Sequence, residues 1–235
     1  MLLDVKDLEV SYGDYQVVWG VSLIVAPGES VALLGPNGSG KSTVINTITG
    51  LLKAKAGDVH FDGASLLGKP THARASLGIA HVLERRRVFP HLSVMQNLTL
   101  GAWHPAAKAA RPQSMERVFS LFPRLSERKG QLARTLSGGE QQMLALGRGL
   151  MSLPRLLMVD EPFLGLAPQV MEQMKGVFET LQKEGMAILF IEQNVRLALS
   201  MAKRGYILES GRLAIQGPSS ELIDSPEVRR IFLGV

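Results

Sequence analysis

SVALLGPNGSGKSTVINTITGLL, residues 30–52, decides the fold. The run SVALL favours an extended chain, passes directly into a glycine-rich loop, and the loop opens a segment of helical character. Strand, loop and helix in immediate succession form the unit that cradles phosphate. The loop and the start of the helix comprise Gly35, Pro36, Asn37, Gly38, Ser39, Gly40, Lys41, Ser42 and Thr43, and match G-x-x-x-x-G-K-[ST] in full. Glycines let backbone N–H groups wrap a polyphosphate, and the new helix adds its positive end. Lys41 is expected to reach the β- and γ-phosphates and Ser42 to ligate Mg²⁺. The plain alternative is a glycine turn that happens to precede a helix.

A nucleoside triphosphate site of this kind needs an acid at the tip of an apolar strand, and LLMVDE (156–161) supplies it. Its four apolar residues read as a buried parallel strand. Asp160 is expected to hold Mg²⁺ through water. Glu161, beside it, is placed to orient and deprotonate an attacking water. Two solvated acids closing a strand are the alternative reading. Together the two motifs indicate a Mg²⁺-dependent nucleotide hydrolase or switch.

Between them lies a second glycine-led helix start, LSGGE (136–140). Ser137 reads as its cap, Gly138 and Gly139 permit close backbone approach, and Glu140 stands three positions after the cap as in a capping box. Such a terminus attracts anions through unpaired N–H groups and the helix dipole, although an ordinary capped helix has the same sequence.

Farther out, residues 2–34 read as strands broken by Gly and Pro turns, and GDVHFDG and LGIAHVL as further short strands. From about Val94 to Ser152 the pattern is helical, with a Pro/Ala-rich break at HPAAKAARPQS (104–114). A helix over QVMEQMKGVFETLQKEG, the strand AILFI, a short helix, a hairpin turning at Ser210-Gly211 and two short helices complete the chain. There are no internal repeats, long linkers or coiled-coil heptads. The expected fold is α/β: a mainly parallel core sheet, an antiparallel β portion and a helical portion inserted at about 94–152, all in one domain over residues 1–235.

Bulk properties add bounds. Of 235 residues, 46% are hydrophobic, ample for a sizeable core. Cysteine is absent, which excludes disulfides and thiolate metal sites. The net charge of +5 is compatible with nucleic acid, an anionic surface or bound phosphate and selects none of them. No apolar run reaches the roughly 18 residues a membrane span needs. MLLDVKDLEV carries acids and alternation where a signal peptide has a basic end and an apolar core. A soluble, cytoplasmic chain is expected, with any membrane span supplied by another protein.

These motifs, in this order, resemble the ATP-binding-cassette (ABC) family over essentially the whole length. The resemblance implies that the LSGG helix serves the nucleotide of a second ATPase subunit, homologous or identical, in a head-to-tail dimer closed by ATP and released by hydrolysis. It implies that Tyr12 stacks on adenine. Glu84 stands where the family usually has a glutamine that contacts Mg²⁺ and water. Gln193 stands in place of a γ-phosphate-sensing histidine, Ala167 in place of an aspartate, and Phe163 in place of a small Ser or Thr. Glutamine donates a hydrogen bond but does not titrate. A carboxylate at 84 repels phosphate unless Mg²⁺ or a basic neighbour compensates, and Arg85, Arg86 and Arg87 are adjacent, at least two of them expected to be solvated. ERRRVFPHLSVMQNL, EPFLGLAP, IEQN and the closing FLG (232–234) resemble the branched-chain amino acid uptake branch, whose relatives move urea or short amides. That branch implies integral membrane permeases, met near residues 84–100, a separate solute-binding protein, no nucleic acid, and a peripheral position on the cytoplasmic face of the inner membrane. The competing classes are a non-transport ABC ATPase on DNA or the ribosome, disfavoured by the single cassette without a long coiled-coil insertion, and a regulatory module without turnover, disfavoured by Glu161.

Overall fold

Along the buried strands, side chains alternate between two hydrophobic cores. In the computed structural model, which describes residues 1–233, Val31 and Leu33 face one core while Ala32 and Leu34 face the other. Leu156 and Met158 likewise oppose Leu157 and Val159. A strand buried on both faces must be apolar at every position, which is why SVALL, LLMV and AILFI read as continuous apolar runs. Gly234 of the closing FLG lies outside the described residues.

The chain begins with β1 (Leu3–Tyr12), β2 (Tyr15–Val25), β3 (Ser30–Leu34) and α1 (Lys41–Thr49). Then come β4 (Ala56–Phe61), β5 (Ala64–Ser65), α2 (Thr71–Ser76) and β6 (Ile79–Val82). The helical stretch holds α3 (Val94–Gly101), α4 (Pro105–Ala109), α5 (Arg111–Leu121), α6 (Pro123–Glu127) and α7 (Gly138–Leu150). The remainder is β7 (Leu156–Asp160), α8 (Pro168–Lys183), β8 (Ala187–Glu192), α9 (Val195–Met201), β9 (Arg204–Glu209) and β10 (Arg212–Pro218). Two short helices, α10 (Ser219–Leu222) and α11 (Pro226–Leu233), follow.

Two sheets form. The antiparallel one has the order β2-β1-β4-β5, and the six-stranded one the order β10-β9-β3-β8-β7-β6. In the second, β9, β3, β8, β7 and β6 run parallel, and β10 closes the edge as the antiparallel arm of a hairpin. Ser210 and Gly211 both have positive φ at that hairpin turn, the backbone that matches strand twist in a two-residue connection. Parallel pairing sets the carboxyl ends of β3, β8 and β7 side by side, with Leu34 opposite Glu192 and Asp160 opposite Ile191. This edge positions the site.

The expected break at 104–114 is instead helix. Pro105 and Pro112 sit in the first turns of α4 and α5, where the missing N–H would have no intrahelical partner. Helix α2 was not anticipated either, although Pro70 immediately precedes it. Phe163 is buried, edge-on to Phe178 at 5.9 Å, which in turn meets Phe190 of β8 at 5.0 Å. The bulky residue thus anchors the loop after Glu161 to the core, where each buried aromatic contributes about 1.5–3 kcal/mol.

Candidate functional site

The loop after β3 leaves no room for side chains at its start. A Cβ on Gly35 would stand 2.4 Å from the Leu208 carbonyl oxygen and 2.4 Å from Ser39 Oγ. Helix α1 begins at Gly40 with no side-chain cap and no acidic residue in its first turn. Its first N–H groups therefore face the cleft with no competing acceptor from a cap. Lys41 is largely buried, and its Nζ donates to the carbonyls of Gly35 at 2.7 Å and Pro36 at 3.1 Å. Ser39 Oγ is buried without a partner. An unpaired hydroxyl, open N–H groups and an inward cation are the features a polyphosphate satisfies.

The cleft, about 570 Å³, is lined by Asn37 to Thr43 together with Glu84, Arg85, Asp160, Glu161 and Gln193. The expected P-loop, strand-end acids and switch residue thus converge, although Lys41 and Gln193 are far apart in sequence. Burial pushes the Asp160 carboxyl up to about 6, helped by the charges of Glu161 and Glu84. Burial also pushes Glu192 up to about 7, with the Glu161 charge adding. Lys41 moves the other way: burial lowers its pKa, against the pull of Glu161, Asp160 and Glu192. Carboxylates outnumber free cations here, because Arg85 is engaged with Glu84 at 3.2 Å. Ser42, Asp160 and Glu84 share the cleft, so a hydroxyl and one or two carboxylates are available to a cation. That partial donor set suits Mg²⁺, which completes its octahedron with water and phosphate oxygens. Among the described residues no group of three or more His, Cys, Asp or Glu forms a self-contained metal cage.

Gln193 Nε2 donates to Glu161 Oε1. The Glu161 N–H is tied to the Ile191 carbonyl at 2.9 Å, and Glu161 adopts φ 45°, a conformation that costs a non-glycine residue energy. The carboxylate is therefore held by β8 and its following residue, a link the sequence reading of Gln193 missed. Tyr12 is half exposed outside the cleft lining, its Oη 3.5 Å from Thr43 Oγ1 over the first turn of α1.

None of Ser137, Gly138, Gly139 and Glu140 lines the cleft. The capping box is formed: Glu140 N–H donates to Ser137 Oγ at 3.3 Å, and Ser137 N–H to Glu140 Oε2 at 2.8 Å. The two glycines have separate reasons. A Cβ on Gly139 would meet Val170 of α8 at 2.8 Å, and one on Gly138 would meet the Arg86 guanidinium at 2.7 Å. Arg86 is half-buried there, whereas Arg85 and Arg87 are exposed, so two of the three arginines are solvated. Ala167 caps α8 without a side-chain hydrogen bond, which an aspartate would have provided.

Two residues with no sequence signal stand out. Asn97 is fully buried and brackets the 89–93 turn, accepting from Phe89 N–H at 2.9 Å and donating to the carbonyls of Phe89, Leu92 and Ser93. Arg148, on α7, donates from Nη2 to the Arg87 carbonyl at 2.7 Å and lies over the Phe89 ring.

A family model described as ABC transporter matches residues 18–164. The chain is 43% identical over 233 residues to the high-affinity branched-chain amino acid transport ATP-binding protein BraG of Pseudomonas aeruginosa, covering 99% of this chain and 100% of that protein. It is 32% identical to the lipopolysaccharide export system ATP-binding protein LptB of Escherichia coli, over 99% and 97% of the two chains. The crystal structure of the ADP conformation of an ATP-binding cassette of an ABC transporter superposes with a TM-score of 0.86 at 27% identity, covering 100% of this chain and 99% of that one.

Proposed function

From a chain that belongs to the ABC transporter family, we propose an ATP-hydrolysing, energy-coupling subunit of an importer for branched-chain amino acids. The observation that carries the chemistry is the convergence of Lys41, Asp160, Glu161 and Gln193 at the carboxyl ends of three parallel strands. The solute class follows BraG, which shares 43% identity against 32% for the lipopolysaccharide-export relative.

In this reading the 35–43 loop wraps the triphosphate and Lys41 leaves its backbone carbonyls for the β- and γ-phosphate oxygens. Ser42 and Asp160, with Glu84 nearby, would hold Mg²⁺, which would supply positive charge at the phosphates. Glu161 takes the proton of the attacking water while Gln193 fixes the carboxylate. Tyr12 meets the adenine beside α1. Ser137, Gly138 and Gly139 approach the γ-phosphate held by a second ATPase subunit, related head to tail, so that two composite sites form. Losing that phosphate removes the link, and closure and release move the membrane permeases. A separate solute-binding protein delivers the amino acid, and the chain sits peripherally on the cytoplasmic face of the inner membrane. No described helix is long and apolar enough to cross a membrane.

The segment 83–89 supports coupling. Glu84 and Arg85 line the nucleotide cleft, whereas Leu83, Arg86 and Phe89 line a separate groove against α3 and α7. The two linings are therefore joined by a few residues of one segment.

The test is Glu161→Gln in a reconstituted transporter. Turnover should fall by about 10³ with ATP affinity retained and the closed dimer trapped. Wild-type turnover in this variant would remove Glu161 from the mechanism.

A further inference from the structure

Strand β8 is buried at all six positions, and its last residue is a glutamate. Glu192 is only 5% exposed and lies opposite Leu34, at the end of the strand that leads into the phosphate loop. A carboxyl is seldom buried this deeply without partners, and here burial and the Glu161 charge both oppose its ionisation. Its partners are backbone groups. Oε2 accepts from the Gln193 N–H at 3.3 Å, and the N–H groups of Asn194 and Phe163 also turn toward the carboxyl. Oε1 is buried with no hydrogen-bond partner among the described residues. One side chain thus gathers N–H groups from two loops: the loop after β8 through Gln193 and Asn194, and the loop after β7 through Phe163.

Those two loops carry the pair on which the proposed hydrolysis depends. Glu161 stands two residues before Phe163, and its own N–H is fixed by the carbonyl of Ile191, the neighbour of Glu192. Gln193 follows Glu192 directly and donates from Nε2 to Glu161 Oε1. Asn194 starts α9, its Oδ1 accepting from the Leu197 N–H at 3.1 Å. The side-chain contact between Gln193 and Glu161 is therefore backed by a second bridge, from the Glu192 carboxyl to the backbones of both loops. We propose that Glu192 is a positioning residue: it ties the two loops together and so fixes where the Glu161 carboxylate stands relative to Gln193, without touching water or phosphate itself. The inference rests on the reading above that Glu161 takes the proton of the attacking water, and adds the group that keeps that carboxylate in place. What the position requires is an accepting oxygen. A glutamine oxygen still accepts, whereas leucine leaves the N–H groups of both loops without their shared acceptor.

The experiment is steady-state ATPase kinetics of the reconstituted transporter, with ATP affinity measured alongside, for Glu192→Leu, Glu192→Gln, Gln193→Ala, the Glu192→Leu/Gln193→Ala double variant and Glu161→Gln. Glu192→Leu is expected to lower kcat by about 10- to 100-fold, the scale of a misplaced catalytic group, with KM and ATP affinity within about twofold of wild type. Glu192→Gln should recover most of that loss. Because Glu192 acts through the pair, the double variant should lose much less than the product of the two single losses. Wild-type kcat in Glu192→Leu beside an inactive Glu161→Gln overturns the inference and leaves the reading of Glu161 standing. Wild-type turnover in Glu161→Gln removes that reading itself. A fall in ATP affinity that matches the fall in kcat, losses that multiply in the double variant, or no recovery with Glu192→Gln would each show that Glu192 does not act by positioning the pair. Should Glu192→Leu fail to fold, amide hydrogen exchange of the wild-type chain decides. Protection of the Phe163, Gln193 and Asn194 N–H groups comparable with that of β8 supports the bridge, and exchange at the rate of an open loop overturns it.

Discussion

Helices α1 and α7 both start from glycine-led turns, yet their N-termini are finished differently. Helix α1 has Gly40 at its cap position, no side-chain cap and no acid in the first turn. Helix α7 satisfies two backbone N–H groups within itself through Ser137 and Glu140, and Glu140 is further held by Arg128 at 2.9 Å. One of its glycines is committed to packing against Val170. Every N–H satisfied inside a helix is unavailable to a ligand. The first terminus leaves its N–H groups open, and the second has two of them satisfied by its own cap. The proposed function assigns them unequal roles accordingly: tight binding at α1, completion of a partner's site at α7.

Lys41→Ala tests the open terminus most severely. Losing the buried cation should weaken ATP binding by about 10²–10³, read by calorimetry on the isolated chain. Unaltered affinity would mean that α1 does not hold the phosphates. Ser137→Arg should leave that affinity within about twofold but lower turnover of the assembled transporter by about 10², the order expected for one lost transition-state donor. Were Ser137→Arg to weaken ATP binding as much as Lys41→Ala does, both termini would serve one nucleotide and the contrast would vanish. Gln193→Ala sharpens the picture on the α1 side. It frees the Glu161 carboxylate, and about a tenfold loss in kcat with unchanged KM is expected. An equal loss in binding would instead place the amide on the nucleotide.

The last effect is on stability rather than turnover and concerns Glu192, buried behind that pair. Its carboxyl is raised from 4.5 to about 7 by burial first and by the Glu161 charge second. A raised folded-state value means its contribution to stability is fully present below about pH 4.5 and is lost as pH rises through about 7. Glu192→Gln should therefore melt a few degrees above wild type at pH 8, on the order of 2 kcal/mol, with the difference shrinking toward pH 5. A difference that grows toward acid would show that the carboxylate is stabilised in the fold.

Legibility in the sequence tracked how local each determinant is. The strand, loop and helix at 30–52 and the apolar run 156–159 were readable because their hydrogen bonding and burial follow from adjacent residues. Across 104–114 proline reads as a breaker, whereas its position inside a first turn makes it a starter. Phe163 has no local explanation, because its size is matched by Phe178, which packs in turn on Phe190. Arg148 gave no sign, since one arginine in an amphipathic helix has the same sequence whether its head is solvated or turned under a neighbouring loop.

By itself, then, the chain's order of residues determined the phosphate loop, the acids at a strand tip, the capped second helix and the α/β alternation. Each is a short-range consequence of backbone freedom, capping or side-chain period. Only the tertiary structure decided that Gln193 holds Glu161, that Gly139 serves packing while Gly138 meets Arg86, and that a groove opens beside the nucleotide cleft. Those facts depend on the strand order β3-β8-β7 and on how helices settle against the sheet, and such long-range pairings are set by the packing of the whole chain.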